Sequence, residues 1–271
     1  MKLSIPLRGS LQNPAPSPDG VSISLTRWRG KYNSGRADVF TYNLATHAVT
    51  MLPVSGEANV SQPGSCWNER GIIFSTDHWG PDCAAYWDGA ALHRLFDSGD
   101  DQTWEPSWGN DFYVAERHIG GEGPGQIIKA SLVEQLMSDI DELTHPQDDC
   151  RQPCVSPDSS MVIYQQRIDG DIWKLVLLDL NNRKRSVLPN GTDATFSHDS
   201  KRVVFSNNAG KLLVYDLVKK TLSPVTVETR YSGAPSFSRD DKQIFYEGAS
   251  GNGAGDDGGP PTSIYVTDAP A

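Results

Sequence analysis

Positive charge is scarce in this chain: 24 Lys and Arg stand against 34 Asp and Glu, a formal charge of −10 at pH 7. Phosphate binding needs a basic face, so the balance argues against nucleic acid as a partner. Long apolar runs are missing too. No stretch of eighteen apolar residues exists, so membrane insertion as a helix is not expected. The opening "MKLSIPLRGS" lacks the apolar core of a signal peptide, which leaves a cytoplasmic protein or one whose leader was removed. Only four cysteines occur, at 66, 83, 150 and 154, with no CxxC pair and no framework of the kind small secreted domains use. Cys150 and Cys154, in "CRQPC", are close enough to be bridged across a turn; the other reading is four small buried side chains. HExxH, the Ser-His-Asp order, a paired catalytic-carboxylate motif and GxxxxGK[ST] are all absent, so protease, glycosidase and P-loop readings have nothing specific behind them.

What the chain has instead is a repeat. "NPAPSPDGVSISL", "QPGSCWNERGIIF", "EPSWGNDFYV", "QPCVSPDSSMVIY", "DATFSHDSKRVVF" and "APSFSRDDKQIFY" begin at residues 13, 62, 105, 152, 193 and 234. Each reads as a short strand, a turn of Pro-Asp-Gly chemistry or its relatives, and an alternating β-branched strand. A third apolar strand follows, such as "KLLVYDL", and most units add a shorter, more polar fourth, such as "RSVLPN". Four strands per unit, about 40 to 50 residues per unit and six units make an all-β, six-bladed β-propeller of four-stranded blades. One domain over residues 1–271 then accounts for the chain. The sixth unit stops after its third strand, so "KLSIPL" at residues 2–7 is expected to close the ring as the fourth strand of the last blade, pairing near Ile264–Val266.

"PSPDG" at 16–20, "SPDSSMVIY" at 156–164 and "SRDDKQIFY" at 238–246 resemble the Pro-Asp-containing, WD40-like (PD40) repeats of TolB-type six-bladed propellers, over essentially the whole chain. The resemblance implies a binding module for a protein segment or an oligosaccharide, acting as a monomer, in the periplasm or secreted. Similar propellers also serve as peptidase gates and polysaccharide lyases, and fold alone does not choose. Within the repeat, Asp19, Asp158, Asp199 and Asp240 are expected to cap turns, and Trp108, Phe196 and Phe237 to pack between blades.

Function should sit where the repeat varies on the face shared by the starts of the first strands and the loops joining second to third strands. The first strands open with Asn13, Gln62, Glu105, Gln152, Asp193 and Ala234, a polar ring at the channel mouth that could hold a polar ligand or simply be hydrated. The loops bring Arg27, Arg29, Lys31 and Tyr32 from blade 1, Asp77, His78 and Trp79 from blade 2, Glu116, Arg117 and His118 from blade 3, and Arg167 and Asp169 from blade 4. Arg forks beside a Trp plate suit an acidic sugar or a carboxylate-bearing peptide; solvated loops are the plainer reading. The alternative to a binding module is therefore a polysaccharide lyase or related enzyme acting on an acidic sugar polymer. A cation or Arg would neutralise the uronate while His78, His118 or Tyr32 moves the proton, with Arg117 assisting. His78 and His118 hold equivalent places in adjacent blades, which makes them candidate ligands, with Asp77, Glu116, Gln62 or Glu105, for Mn²⁺ or Zn²⁺. Asp256 and Asp257, in the loop "EGASGNGAGDDGGPP", could bind Ca²⁺ but fall short of a full oxygen shell.

Overall fold

The computed structural model describes residues 1–96, 99–121, 123–132, 140–168 and 172–270. Blade 1 is β1 (Ser10–Pro16), β2 (Ser22–Trp28), β3 (Ala37–Asn43) and β4 (Val49–Met51). In blade 2 the innermost strand is broken into β5 (Val60–Ser61) and β6 (Trp67–Asn68), both paired to β7 (Gly71–Thr76), followed by β8 (Cys83–Trp87) and β9 (Leu92–Arg94). Blade 3 comprises β10 (Gln102–Trp108), β11 (Phe112–His118), β12 (Gln126–Ser131) and β13 (Ile140–Glu142). Blade 4 follows with β14 (Cys150–Val155), β15 (Met161–Ile168), β16 (Ile172–Asp179) and β17 (Arg185–Asn190). β18 (Thr192–Phe196), β19 (Arg202–Ser206), β20 (Leu212–Asp216) and β21 (Thr221–Pro224) form blade 5, and β22 (Tyr231–Phe237), β23 (Gln243–Ala249) and β24 (Ser263–Asp268) form blade 6. All ladder pairings are antiparallel and join sequence neighbours, except that β5 pairs β7 across β6; β1 also packs against β22, so the first and last blades meet.

The expected closure by an N-terminal strand does not occur. Blade 6 is a three-stranded sheet, and residues 2–7 contribute one isolated bridge, Lys2 to Tyr265, but no strand. The reason is local. Pro6 has no N–H to offer a ladder, and the Leu7 N–H is spent on Ile5 O at 2.9 Å, so the chain bends away after residue 3. Leu3, Ile5 and Leu7 lie instead against the apolar cluster of Leu11, Ile23, Phe245 and Ile264.

The Pro-Asp turns do what their chemistry dictates. Asp19 Oδ1 accepts from the Ser17 hydroxyl at 2.6 Å and the Val21 N–H at 3.1 Å, and the same set recurs at Asp158, Asp199 and Asp240. Those hydrogen bonds hold Asp19 and Asp240 below the usual carboxylate range. Where an aromatic residue precedes the turn it packs on the preceding blade: Trp108 among Ile73 and Phe74, Phe196 among Cys154 and Ile163, Phe237 among Val204 and Val214. All four cysteines are buried, and Cys150 and Cys154 remain separate thiols, so no bridge joins them. Burial pushes the Cys66 and Cys150 thiols up to about 12.

Candidate functional site

Each innermost strand but that of blade 2 carries a bulge at the residue that opens its repeat. Asn13, Glu105, Gln152, Asp193 and Ala234 all have left-handed backbone, with φ from 40° to 55°, and the pairing register slips at each. Four of the five precede proline, whose missing N–H makes the break in the ladder cheap. The bulge turns a backbone N–H toward the preceding blade, where a side chain accepts it. Asn13 N–H goes to Glu247 Oε2 at 3.3 Å, Gln152 N–H to Glu116 Oε2 at 3.0 Å, and Asp193 N–H to Gln152 Oε1 at 3.1 Å. Gln62 is tied in differently: its N–H meets Thr26 Oγ1 at 3.0 Å, and its amide bonds Asn13 O and Ser24.

Carboxylates thereby gather around the channel. Burial, then the neighbouring charges of Glu116, Asp193 and Glu247, push Glu105 up to about 8. Burial and Asp193 push Glu247 up to about 7, against the opposing hydrogen bonds of Tyr32 and Tyr231. Asp193 is also raised, again by burial first. Glu247 Oε1 and the two phenol oxygens form a triangle with edges of 2.8, 2.9 and 3.0 Å. The two phenols supply two protons for three short contacts, so the third edge is hydrogen-bonded only when Glu247 is protonated. Both phenols are held far above their usual pKa by burial and the Glu247 charge, so they act as neutral donors.

Glu116 is differently placed. Its Oε1 lies 2.6 Å from His118 Nε2, while His118 Nδ1 faces Gly123 O at 3.0 Å. Two acceptors around one imidazole call for two ring protons. Burial would lower His118, but the bond and charge of Glu116 outweigh it and hold the ring above its ordinary value.

Above the acids opens a cavity of about 580 Å³, lined by Tyr32, Gln152, Gln165, Thr192, Asp193, Asn207, Asn208 and Tyr231 among others. A narrow neck lined by Asn13, Glu105, Gln152 and Asp193 continues from it along the channel. The loop from Gly251 to Asp256 borders the cavity, with backbone bonds linking Tyr32 to Gly258 and Gly259. A second cavity of about 500 Å³ opens among the Pro-Asp turns, but its Asp158 and Asp199 are already spent on caps.

Of the residues singled out from sequence, Tyr32, Gln152 and Asp193 line the large cavity, and Asn13 and Glu105 the neck. The arginines are committed elsewhere. Arg27 and Arg29 both bind the fully buried Asp38, which their bonds hold low despite its burial, and Arg27 lies over Phe40. Arg117 binds Asp101 at 2.7 Å, and Arg167 reaches Asp149 at 2.9 Å while flanking Trp173. His78 stands edge-on to Trp79 and 4.0 Å from Glu57, whereas His118 belongs to Glu116. Among the described residues, no three or more His, Cys, Asp or Glu gather to hold a metal ion. Asp169 lies outside the described residues. Sequence reasoning passed over Glu247, Tyr231 and Gln165. Glu247 was legible in principle, since it stands opposite the bulge of its blade just as Glu116 does.

The class these features define is a six-bladed β-propeller, a fold this chain shares with solved TolB structures, and no particular repeat family is shown. No protein-family model matches the chain, and no curated protein matches it. Among solved structures, TolB from Acinetobacter baumannii superposes with TM-score 0.65 at 12% identity, over 96% of this chain and 61% of that one. An oligogalacturonate lyase in complex with manganese matches with TM-score 0.59 at 11% identity, over 97% of this chain and 90% of that one. A gluconolactonase from Xanthomonas campestris matches with TM-score 0.65 at 11% identity, over 96% and 86% of the two chains. The scaffold is thus shared by binding proteins and carbohydrate-active enzymes, and at such identities the likeness is one of fold alone. Among the described residues no helix is long and apolar enough to cross a membrane.

Proposed function

We propose that the protein is a carbohydrate-active enzyme whose oligosaccharide substrate occupies the 580 Å³ cavity. The observation that carries this reading is the Tyr32–Tyr231–Glu247 triangle at the cavity wall, where a carboxyl raised to about 7 is wired to two phenols. A group near neutral pKa gives and takes protons with least penalty, and the phenols, which face the cavity, relay the proton that Glu247 holds behind them. Amides and hydroxyls from Asn207, Asn208, Gln152 and Thr192 suit the donor and acceptor pattern of sugar hydroxyls. The solved lyase and lactonase propellers favour this reading over a binding module without chemistry.

An acidic polymer as substrate draws less support from the site, since Arg27, Arg29 and Arg117 are held by carboxylates, Arg230 at the cavity is bonded to Asn252, and the neck is itself acidic. The test is a panel of neutral, acidic and amino oligosaccharides incubated with the protein, products being read by mass spectrometry. Turnover of at least one substrate, reduced about 100-fold in Tyr231→Phe and Tyr32→Phe at unchanged melting temperature, is the expected result. Binding without products in every case returns the protein to the binding-module reading, and turnover indifferent to both substitutions removes the triangle from the chemistry.

A further inference from the structure

Three carboxylates at the channel mouth have no cation. Glu116 has His118, and Asp149 has Arg151 and Arg167. Glu105, Asp193 and Glu247 form no ion pair among the described residues; burial raises all three, and neighbouring carboxylates add to it at Glu105 and Glu247. Asp193 accepts from the Thr192 hydroxyl at 3.0 Å, a neutral partner. Acids alone make no site, but a neutral side chain beside them points the same way.

That side chain is Gln165. In three blades, the residue opposite the bulge accepts the next blade's N–H: Thr26 from Gln62, Glu116 from Gln152, Glu247 from Asn13. Gln165 holds this place in blade 4, opposite Arg151 as Glu116 is opposite Trp104. The Asp193 N–H, however, goes to Gln152 instead, at 3.1 Å. Gln165 is left 6% exposed, with a fully buried Oε1 that has no partner, in the wall of the cavity beside Asp193. An amide carbonyl buried beside a cavity without a donor has lost its water and gained nothing in return.

We infer that the cavity takes a ligand bearing a protonated amine, seated between Asp193 and Gln165 over the neck that holds Glu105, and that, on the carbohydrate reading above, this ligand is an amino sugar. An ammonium group brings three N–H donors and one positive charge; the wall offers an orphaned carbonyl, a carboxylate in contact and two more behind. An anionic sugar would meet Arg230, already bonded to Asn252 Oδ1 at 2.6 Å, but would set its own charge against that of Asp193. A divalent ion needs several oxygens closing on it at short range, an arrangement not found among the described residues.

The test is isothermal titration of the full chain at one pH with glucosamine tetrasaccharide, with N-acetylglucosamine tetrasaccharide, with spermidine, and with MnCl₂ or CaCl₂. The glucosamine oligomer is expected to bind at least about tenfold more tightly than the acetylated one, which keeps the sugar and removes the charge. Asp193→Asn should abolish that difference. Gln165→Leu, a second variant that leaves the bulge untouched, should narrow it, both variants retaining the parental melting transition. Equal affinity for the two oligomers overturns the amine inference while leaving the carbohydrate reading intact. Spermidine binding that Asp193→Asn abolishes, with neither oligomer bound, keeps the amine site and refutes the sugar. No binding of any amine, or metal binding that amines fail to displace, overturns the inference.

Discussion

Glu247 should make the protein less stable as pH rises, and Glu247→Gln should remove that dependence. The carboxyl is 1% exposed and its pKa is raised to about 7, against an ordinary value of 4.5. Between those two values the native state holds a proton that the unfolded chain has released. Stability from this group is therefore fully present below pH 4.5 and is lost as pH climbs through about 7. A shift of that size corresponds to about 3 kcal/mol at pH 8.5. Gln keeps the acceptor facing Tyr32 and Tyr231 but presents an amide N–H₂ toward the Asn13 N–H, a pH-independent cost of about 1 kcal/mol. Urea denaturation of parent and variant at pH 5.0 and pH 8.5, in buffers of equal ionic strength, separates the two. The variant should be slightly weaker at pH 5.0 and stronger by about 2 kcal/mol at pH 8.5. A stability difference that is the same at both pH values would mean that Glu247 does not titrate in this range, and the proton-relay argument would go with it.

Other consequences are quicker to check. Asp38→Ala leaves Arg27 and Arg29 without their buried partner and should cost about 3–5 kcal/mol, read as a lowered denaturation midpoint with no change in slope; a loss under about 1 kcal/mol would show the cluster to be solvated. Phe237→Ala empties the seam between blades 5 and 6 and should cost about 3–5 kcal/mol by thermal melt, whereas an unchanged melt would mean the seam collapses around the gap. Native protein should resist a thiol reagent at neutral pH at Cys66, Cys83, Cys150 and Cys154 alike and label fully in denaturant; rapid labelling of the folded protein would contradict their burial.

The repeat made the blades readable because turn chemistry is local. Ser17 and Asp19 hold their turn through contacts within a few residues, and that pattern survives in the amino-acid string wherever it recurs. The polar ring was readable for a related reason: the bulge residue and the proline after it are adjacent in the chain. Ring closure was not. The extended look of "KLSIPL" could not reveal that Pro6 and the Leu7–Ile5 contact would turn the chain off the edge of blade 6. The arginine loops misled for the opposite reason. Arg27 and Arg29 look free in the sequence, and their common partner, Asp38, sits on the facing strand in what reads as an ordinary apolar alternation.

The backbone itself marks the channel as the place where the scaffold gives up stability. Five left-handed residues, none a glycine, each cost about 1–2 kcal/mol, and Asp and Asn, which tolerate that conformation best, fill only two of the five places. Ala234 is instructive because it has the strain without a functional group, which shows that the bulge belongs to the blade geometry and precedes any ligand. What varies from blade to blade is how the turned-out N–H is satisfied: by a hydroxyl for Gln62, by carboxylates for Asn13 and Gln152, and by the neighbouring ring amide for Asp193. Two of those solutions bury an acid, and the last leaves Gln165 without a partner. Chemistry at the channel thus grows out of a structural need, the satisfying of a turned-out N–H at the bulge, met unequally by the blades that carry one. The sector where it is met with surplus charge and an idle carbonyl is the sector over which the cavity opens.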